Sequence, residues 1–389
     1  MKKPYQNEQT LAIHAGETVD RFYGAVTLPI FQTSTYLATG KEAYSDIRYL
    51  RLNNSPNHLA LHEKIAALEG AEAALVTASG MASISTVLLS VLKTGDHLLT
   101  QNCLYGGTFG LLQDDAESLG WSYDFVDGHT PSHWEKSLRP NTRAIYFEAL
   151  TNPLVQVGDL EAVVAFARKH KLVSIIDATF ASPCGLKPIQ LGFDIVVQSC
   201  TKYMNGHSDI VAGSVAASRE WISRINSKLI HFGACLDPHA CFLLDRGLKT
   251  LPARMRIHNE NTLALAKFLE AHPMVARVHY PSLESHPDHA RAKKLLKGGA
   301  GGVLSFELKA GIEESEAMLR RLNLPVFAPS LGGVETLVTI PSLSTHSAIP
   351  RAERLRMGIQ DNLVRVAVGI EASDDLIADF AQALSGMAR

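Results

Sequence analysis

An α/β fold is predicted: a mostly parallel sheet between layers of helix, followed by a smaller C-terminal α+β domain. Two observations predict it. Through the first two thirds of the chain, short, wholly apolar runs alternate with helical stripes, the signature of strands buried on both faces. Near Leu251-Pro252 the pattern changes to a long helix and then a mixture of strands and helices.

The elements follow in order. Residues 1–60 show little periodicity and read as an N-terminal arm, with a helical stripe (Leu61, Ile65, Leu68) as it ends towards Gly70. Ala73–Thr77 reads as a strand that feeds a helix from about Gly80. His97–Thr100, Tyr123–Val126 and Arg143–Glu148 are strand-like. Asp159 is placed as an N-cap, and Leu160, Val163, Val164 and Ala167 form the stripe after it. Leu172–Asp177 and Phe193–Ser199 are further buried strands, which completes a large domain over 61–250. In the C-terminal domain, 251–389, a helix over about Ala253–Ala271 precedes strand-like Val275–Tyr280, Gly302–Leu308 and Leu363–Val368. A last helix opens at Ser373-Asp374-Asp375, whose acids suit the positive end of the helix dipole.

Composition narrows the function. The 389 residues carry 37 Lys and Arg against 39 Asp and Glu, a formal charge of −2. That leaves no broad basic footprint for nucleic acid and no charged tail for a membrane surface. The most apolar stretch, Leu75–Leu92, is broken by Thr77, Ser79, Gly80, Ser83, Ser85 and Thr86, so it reads as buried strand and helix rather than a membrane span. The first ten residues have no apolar core and do not read as a signal peptide. Five cysteines, an odd number without a C-x-x-C pair, read as reduced thiols of a cytoplasmic protein. Sixteen histidines without H-E-x-x-H give no metal signal, and no G-x-G-x-x-G follows a strand to suggest a nicotinamide cofactor.

Five local features carry chemistry. Lys202, in Ser199-Cys200-Thr201-Lys202 just past the apolar run Ile195-Val196-Val197, is placed for partial desolvation. Desolvation lowers an amine's pKa and suits it to Schiff-base formation, while the Ser199 and Thr201 hydroxyls suit a phosphate. A surface lysine on a loop would share this spacing. Asp177 closes a buried strand, where a carboxylate faces the crevice beyond the sheet and can keep a pyridine nitrogen protonated, or simply cap the next turn. Ala78-Ser79-Gly80-Met81 joins a strand to a helix start, whose free N–H groups receive phosphate. Tyr105, beside Gly106-Gly107, is free to stack on a flat ring or to pack on the surface. Arg365, inside the apolar run Leu363-Val364-Arg365-Val366, needs an anion, either a substrate carboxylate or an internal partner. Arg51, with Tyr49, is a further candidate for phosphate. Jointly these are the requirements of pyridoxal 5′-phosphate chemistry.

With these residues in place, the sequence resembles the cysteine/methionine-metabolism (transsulfuration) family of pyridoxal-phosphate enzymes. That family holds cystathionine γ-synthase, γ-lyase and β-lyase and methionine γ-lyase. The likeness runs from Ala25-Val26-Thr27-Leu28-Pro29-Ile30 to the C-terminal helix. Its most specific pieces are Ser199-Cys200-Thr201-Lys202-Tyr203-Met204-Asn205-Gly206-His207-Ser208-Asp209 and Ser330-Leu331-Gly332-Gly333-Val334-Glu335-Thr336, the second most like the γ-synthase and γ-lyase branch. The resemblance implies fold type I, the aspartate-aminotransferase-like architecture, and a homotetramer built as a dimer of dimers with shared active sites. Lys202 would hold the cofactor and shuttle protons, with Tyr105 as a second catalytic group stacked on the ring. Asp177 would pair with the ring nitrogen and Asn152 would sit near the ring hydroxyl. Gly80, Met81, Ser199 and Thr201 would hold the phosphate, and Tyr49 and Arg51 would reach the neighbouring subunit's phosphate. Arg365 would bind the substrate carboxylate beside Ser330, and Glu335 would help to favour γ chemistry.

The chain also departs from that family. Asn53-Asn54-Ser55-Pro56-Asn57 replaces a shorter Asn-Pro-Thr, and Ala178 follows Asp177 where Asn is common. Gly107 stands where methionine γ-lyases carry a cysteine, and Leu331 where one β-lyase type has Trp. Gly110 and Leu52 replace arginines that read the distal end of the substrate in some γ-enzymes. The reading is γ-elimination or γ-substitution on a sulfur amino acid or O-acylhomoserine. The alternatives are a β-lyase or methionine γ-lyase-like carbon–sulfur lyase, or a cofactor-binding protein without catalysis.

Overall fold

A computed structural model describes residues 5–17, 22–38, 40, 41, 43, 46–347 and 349–386. Seven strands form the larger sheet: β1 (Ala73–Thr77), β2 (His97–Gln101), β3 (Ser122–Val126), β4 (Thr142–Glu148), β5 (Val173–Asp177), β6 (Ile195–Gln198) and β7 (Gly213–Ala217). Their order is β1-β7-β6-β5-β4-β2-β3. All run parallel except β7, which pairs antiparallel with both β1 and β6. The expected parallel sheet is therefore present, with one reversed strand that the pattern did not predict. Gly213-Ser214-Val215-Ala216-Ala217 is built from small residues and lacks the bulky apolar run by which the others were recognised.

Alternate residues of each strand enter opposite layers of the core. Val76, Leu99, Phe147, Ile176 and Val196 lie on one face, and Leu75, Leu98, Tyr146, Ile175 and Val197 on the other. Helices cover both faces, which is why these strands are continuously apolar. Helix Pro56–Glu69 buries the expected stripe Leu61, Ile65 and Leu68; Ser55 caps it through the His58 amide and Pro56 takes the first turn. Asp159 caps helix Leu160–His170 through the Ala162 amide, as expected.

The second sheet has five strands: β8 (Val275–His279), β9 (Val303–Leu308), β10 (Val326–Phe327), β11 (Leu337–Thr339) and β12 (Leu363–Ala367). Their order is β10-β11-β12-β9-β8, antiparallel except for β10 with β11. Helix Leu251–Ala271 starts two residues before the expected Ala253, because Pro252 is tolerated in a first helical turn. β10 and β11, two and three residues long, are too short for a periodic signal. Among the described residues, no helix is long and apolar enough to cross a membrane.

One buried acid ties the sheet to its covering helix. Glu69, at the end of helix Pro56–Glu69, accepts the Gln198 side-chain amide of β6 at 2.8 Å, and its other oxygen is buried without a partner. Burial pushes its carboxyl from the ordinary 4.5 up to about 7, the Gln198 bond opposing. Between these two values the folded state binds the proton and the unfolded state does not, so stability from this group falls as pH rises. Glu69→Gln should match the parent at pH 5 and exceed it at pH 8 by up to about 3 kcal/mol in denaturant titrations. A difference that does not change with pH would show Glu69 ionised throughout.

Candidate active site

The carboxyl ends of β1, β4, β5 and β6 open onto one cavity of about 390 Å³, and β12 of the second sheet closes its far side with Arg365. This is the crevice where open α/β sheets bind ligands. Of the candidate residues, Gly80, Met81, Tyr105, Asn152, Asp177, Ser199, Thr201, Lys202, Ser330 and Arg365 line it.

Two residues past β1, the Ser79 hydroxyl caps helix Gly80–Val91 by accepting the Ala82 amide at 2.9 Å. The first amides of a helix have no acceptor within it, so those of Gly80 and Met81 remain for a ligand. A Cβ at Gly80 would lie 2.8 Å from the Ser199 Cβ. Only glycine lets the turns after β1 and β6 meet here. The expectation for Thr201 changes: its hydroxyl donates to the Ala212 carbonyl at 3.1 Å, so its proton is already spent.

Lys202 Nζ donates to Ser330 Oγ at 2.7 Å. No carboxylate pairs with it among the described residues, and burial together with the Arg365 charge brings its pKa from 10.5 down to about 8. Gly332, at φ +82°, brings its backbone against this lysine; a Cβ there would stand 2.6 Å from the Tyr203 amide nitrogen and 3.2 Å from Lys202 Cα. Ser330 is held at φ +108°, a strained conformation for a residue with a side chain. Its two oxygens serve both cations, Oγ accepting from Lys202 and the carbonyl from Arg365 Nη2 at 2.8 Å.

Asp177 and Glu148 sit side by side at the ends of β5 and β4. Asp177 accepts the Thr179 amide at 2.9 Å, and the nearby Tyr146 hydroxyl also favours its charged form. Glu148 accepts the Tyr105 amide at 2.5 Å. Burial pushes both carboxyls up, and the Asp177 charge adds to the rise at Glu148. Thr179 and Tyr146 oppose the rise at Asp177, whereas only the Tyr105 amide opposes it at Glu148. Sequence reasoning missed Glu148 although the signal was the same as for Asp177, an acid closing an apolar strand.

Arg365 is 2% exposed. Nη1 donates to Asn152 Oδ1 at 3.1 Å, while Nε is buried without a partner. Its protein partners are neutral oxygens, and no carboxylate pairs with it among the described residues.

Three expected residues stand elsewhere. Arg51 donates to the Ile230 carbonyl at 2.8 Å, its guanidinium over the Tyr49 ring, so neither arm residue lines the cavity of its own chain. Glu335 accepts the Ser208 hydroxyl and does not line the cavity either. Among the described residues no cluster of histidine, cysteine or acid is placed to hold a metal, and all five cysteines are free.

A buried amine, a buried acid closing a strand and a helix start against two glycine-shaped turns define a pyridoxal-phosphate enzyme of fold type I. The chain belongs to the Cys/Met metabolism PLP-dependent enzyme family, which it matches over residues 9–385. It is 42% identical to an L-methionine γ-lyase of Fusobacterium nucleatum subsp. polymorphum over 96% of this chain and 97% of the relative. It is 41% identical to a cystathionine β-lyase of Lactococcus lactis subsp. cremoris over 97% and 98%. The crystal structure of cystathionine γ-lyase from Lactobacillus plantarum complexed with L-serine superimposes with a TM-score of 0.94 at 38% identity, covering 98% and 100% of the two chains. Its cofactor is pyridoxal phosphate, and the groups present suit it: two amides at a helix start, a desolvated amine and a buried acid closing a strand. Gly80→Ala should weaken cofactor affinity about tenfold or more, since overpacking costs about 1–3 kcal/mol. Absorbance titration of the apoprotein with pyridoxal phosphate measures this, and unchanged affinity would show that the turn yields.

Proposed function

We propose that this enzyme catalyses γ-elimination or γ-substitution on a sulfur amino acid or O-acylhomoserine. One observation carries the amino-acid reading: a buried guanidinium with no carboxylate partner among the described residues shares its cavity with a desolvated amine. The missing anion is the substrate's α-carboxylate, which matches the guanidinium fork.

When bound, pyridoxal phosphate supplies an electron sink for charge developing at the substrate Cα. Lys202 would anchor it, and Nζ is the base placed to take the proton from Cα and return it. Asp177 would hold the ring nitrogen protonated, and Tyr105 would cover the ring and serve the leaving group. Gly80, Met81 and Ser199 would hold the phosphate, with Thr201 in their wall. Asn152 and Ser330 would orient Arg365. The γ reading is supported by Leu331, which lines the cavity in place of a bulky Trp. Tyr49 and Arg51, outside their own chain's cavity, would complete that of a second copy within a cytoplasmic homotetramer. Arg51→Ala should then lower cofactor retention on dialysis, and unchanged retention would remove the shared site.

A β-lyase is the second reading, since the chain is as identical to relatives named β-lyase as to relatives named γ-lyase, 41% in each case. The test is the keto acid released from L-cystathionine by the cofactor-loaded protein. Predominant 2-oxobutyrate supports γ cleavage, and predominant pyruvate puts β-elimination in its place. If neither forms, a synthase that uses an O-acylhomoserine is tested next by supplying a thiol acceptor.

A further inference from the structure

We propose that His346 is a positioning residue for the substrate-binding arginine and acts through Asn152. The proposal rests on the reading of Arg365 as the carboxylate site. His346 is 1% exposed and lies on the loop after the turn Pro341–Leu343. Nε2 stands 3.2 Å from the Asn152 carbonyl oxygen, and Nδ1 stands 2.8 Å from Thr345 Oγ1. On its side chain, Asn152 accepts Arg365 Nη1.

The partners fix the tautomer. A carbonyl oxygen only accepts, so Nε2 carries the proton and donates. Nδ1 is then the bare nitrogen and accepts the Thr345 hydroxyl. A proton on Nδ1 would reverse that bond and place a third cation beside Arg365 and Arg354. Burial first, and then these two charges, bring His346 down to about 4, the Asn152 carbonyl opposing. The imidazole is therefore a neutral relay of fixed polarity. It holds the Asn152 backbone, with some help from the Cys103 thiol, which donates to the same oxygen at 3.6 Å. With that backbone fixed, Asn152 Oδ1 aims one arm of the guanidinium while the Ser330 carbonyl aims the other.

The test compares glycine with glycinamide, which differ in the carboxylate that Arg365 would read, by absorbance titration of the cofactor-loaded protein. His346→Leu should reduce the preference for glycine about tenfold and raise KM for the amino-acid substrate by a similar factor, with kcat within about threefold. His346→Gln, which keeps a donor towards Asn152, should restore most of both. If Arg365→Ala erases the preference but His346→Leu leaves it intact, the relay is overturned and the carboxylate site stands. If Arg365→Ala retains the preference, the carboxylate reading falls and the relay with it. Should His346→Leu fail to fold by circular dichroism, His346→Met, which also lacks a donor towards Asn152, takes its place. Lost preference then supports the relay, and unchanged preference overturns it.

Discussion

Lys202→Ala should lower turnover by at least about 10³-fold, the scale of removing a positioned proton-transfer group that also anchors the cofactor. The cofactor should then leave on dialysis. The same substitution should stabilise the apoprotein. Nζ has one neutral partner, the Ser330 hydroxyl, and its charge is disfavoured by burial and by Arg365. The folded pKa, about 8, lies below the unfolded 10.5, so the unfolded chain binds more protons between these values and stability rises with pH across them. The penalty from the charged lysine is complete below pH 8 and gone above 10.5. Alanine should therefore gain about 1–3 kcal/mol at pH 7, after allowance for solvent screening, and nothing near pH 11. Denaturant titrations of the two apoproteins at these pH values measure the gain. Equal stability throughout would mean that the amine is hydrated.

Arg365→Ala should reduce kcat/KM for amino-acid substrates by about 10²–10³-fold, the loss typical of a buried charge pair broken on one side. Arg365→Lys should recover only part, because an ammonium cannot meet the Asn152 amide oxygen, the Ser330 carbonyl and a carboxylate in one plane. Steady-state kinetics with a substrate and its α-amide separate the outcomes. If the amide loses as much as the acid, the arginine is structural.

Much of this architecture was legible because the strands that bear the site are the apolar ones. β4, β5 and β6 announce themselves, and the residues that close them, Asp177 and the turn to Lys202, are where chemistry was expected and where the cavity lies. What escaped was small, short or distant. β7 hides in serine, glycine and alanine, and β10 and β11 are too brief to show a period. Glu148 carried a visible signal, but only the fold shows that it adjoins Asp177. His346 is separated by 194 residues from the carbonyl it serves, and no spacing rule links the two. Glu335 sits in the most recognisable C-terminal motif, yet Ser208 holds its carboxylate away from the cavity wall. Family likeness located the motif, while local hydrogen bonding decided which of its side chains turn inward.

The reversed strand has a consequence for biosynthesis. Among the described strands β1 pairs with β7 alone, 136 to 144 positions further on: Ala73 opposite Ala217, Thr77 opposite Gly213. The helix start that follows β1 therefore has no fixed address during most of translation. β2, β3, β4 and β5 can assemble as they emerge, since each pairs with strands made shortly before or after it, but β1 must wait for Gly213–Ala217. The phosphate cradle closes late, once the lysine at position 202 has also been synthesised. A nascent chain stopped before β7 then has the means to build a sheet but not a place to hold the cofactor.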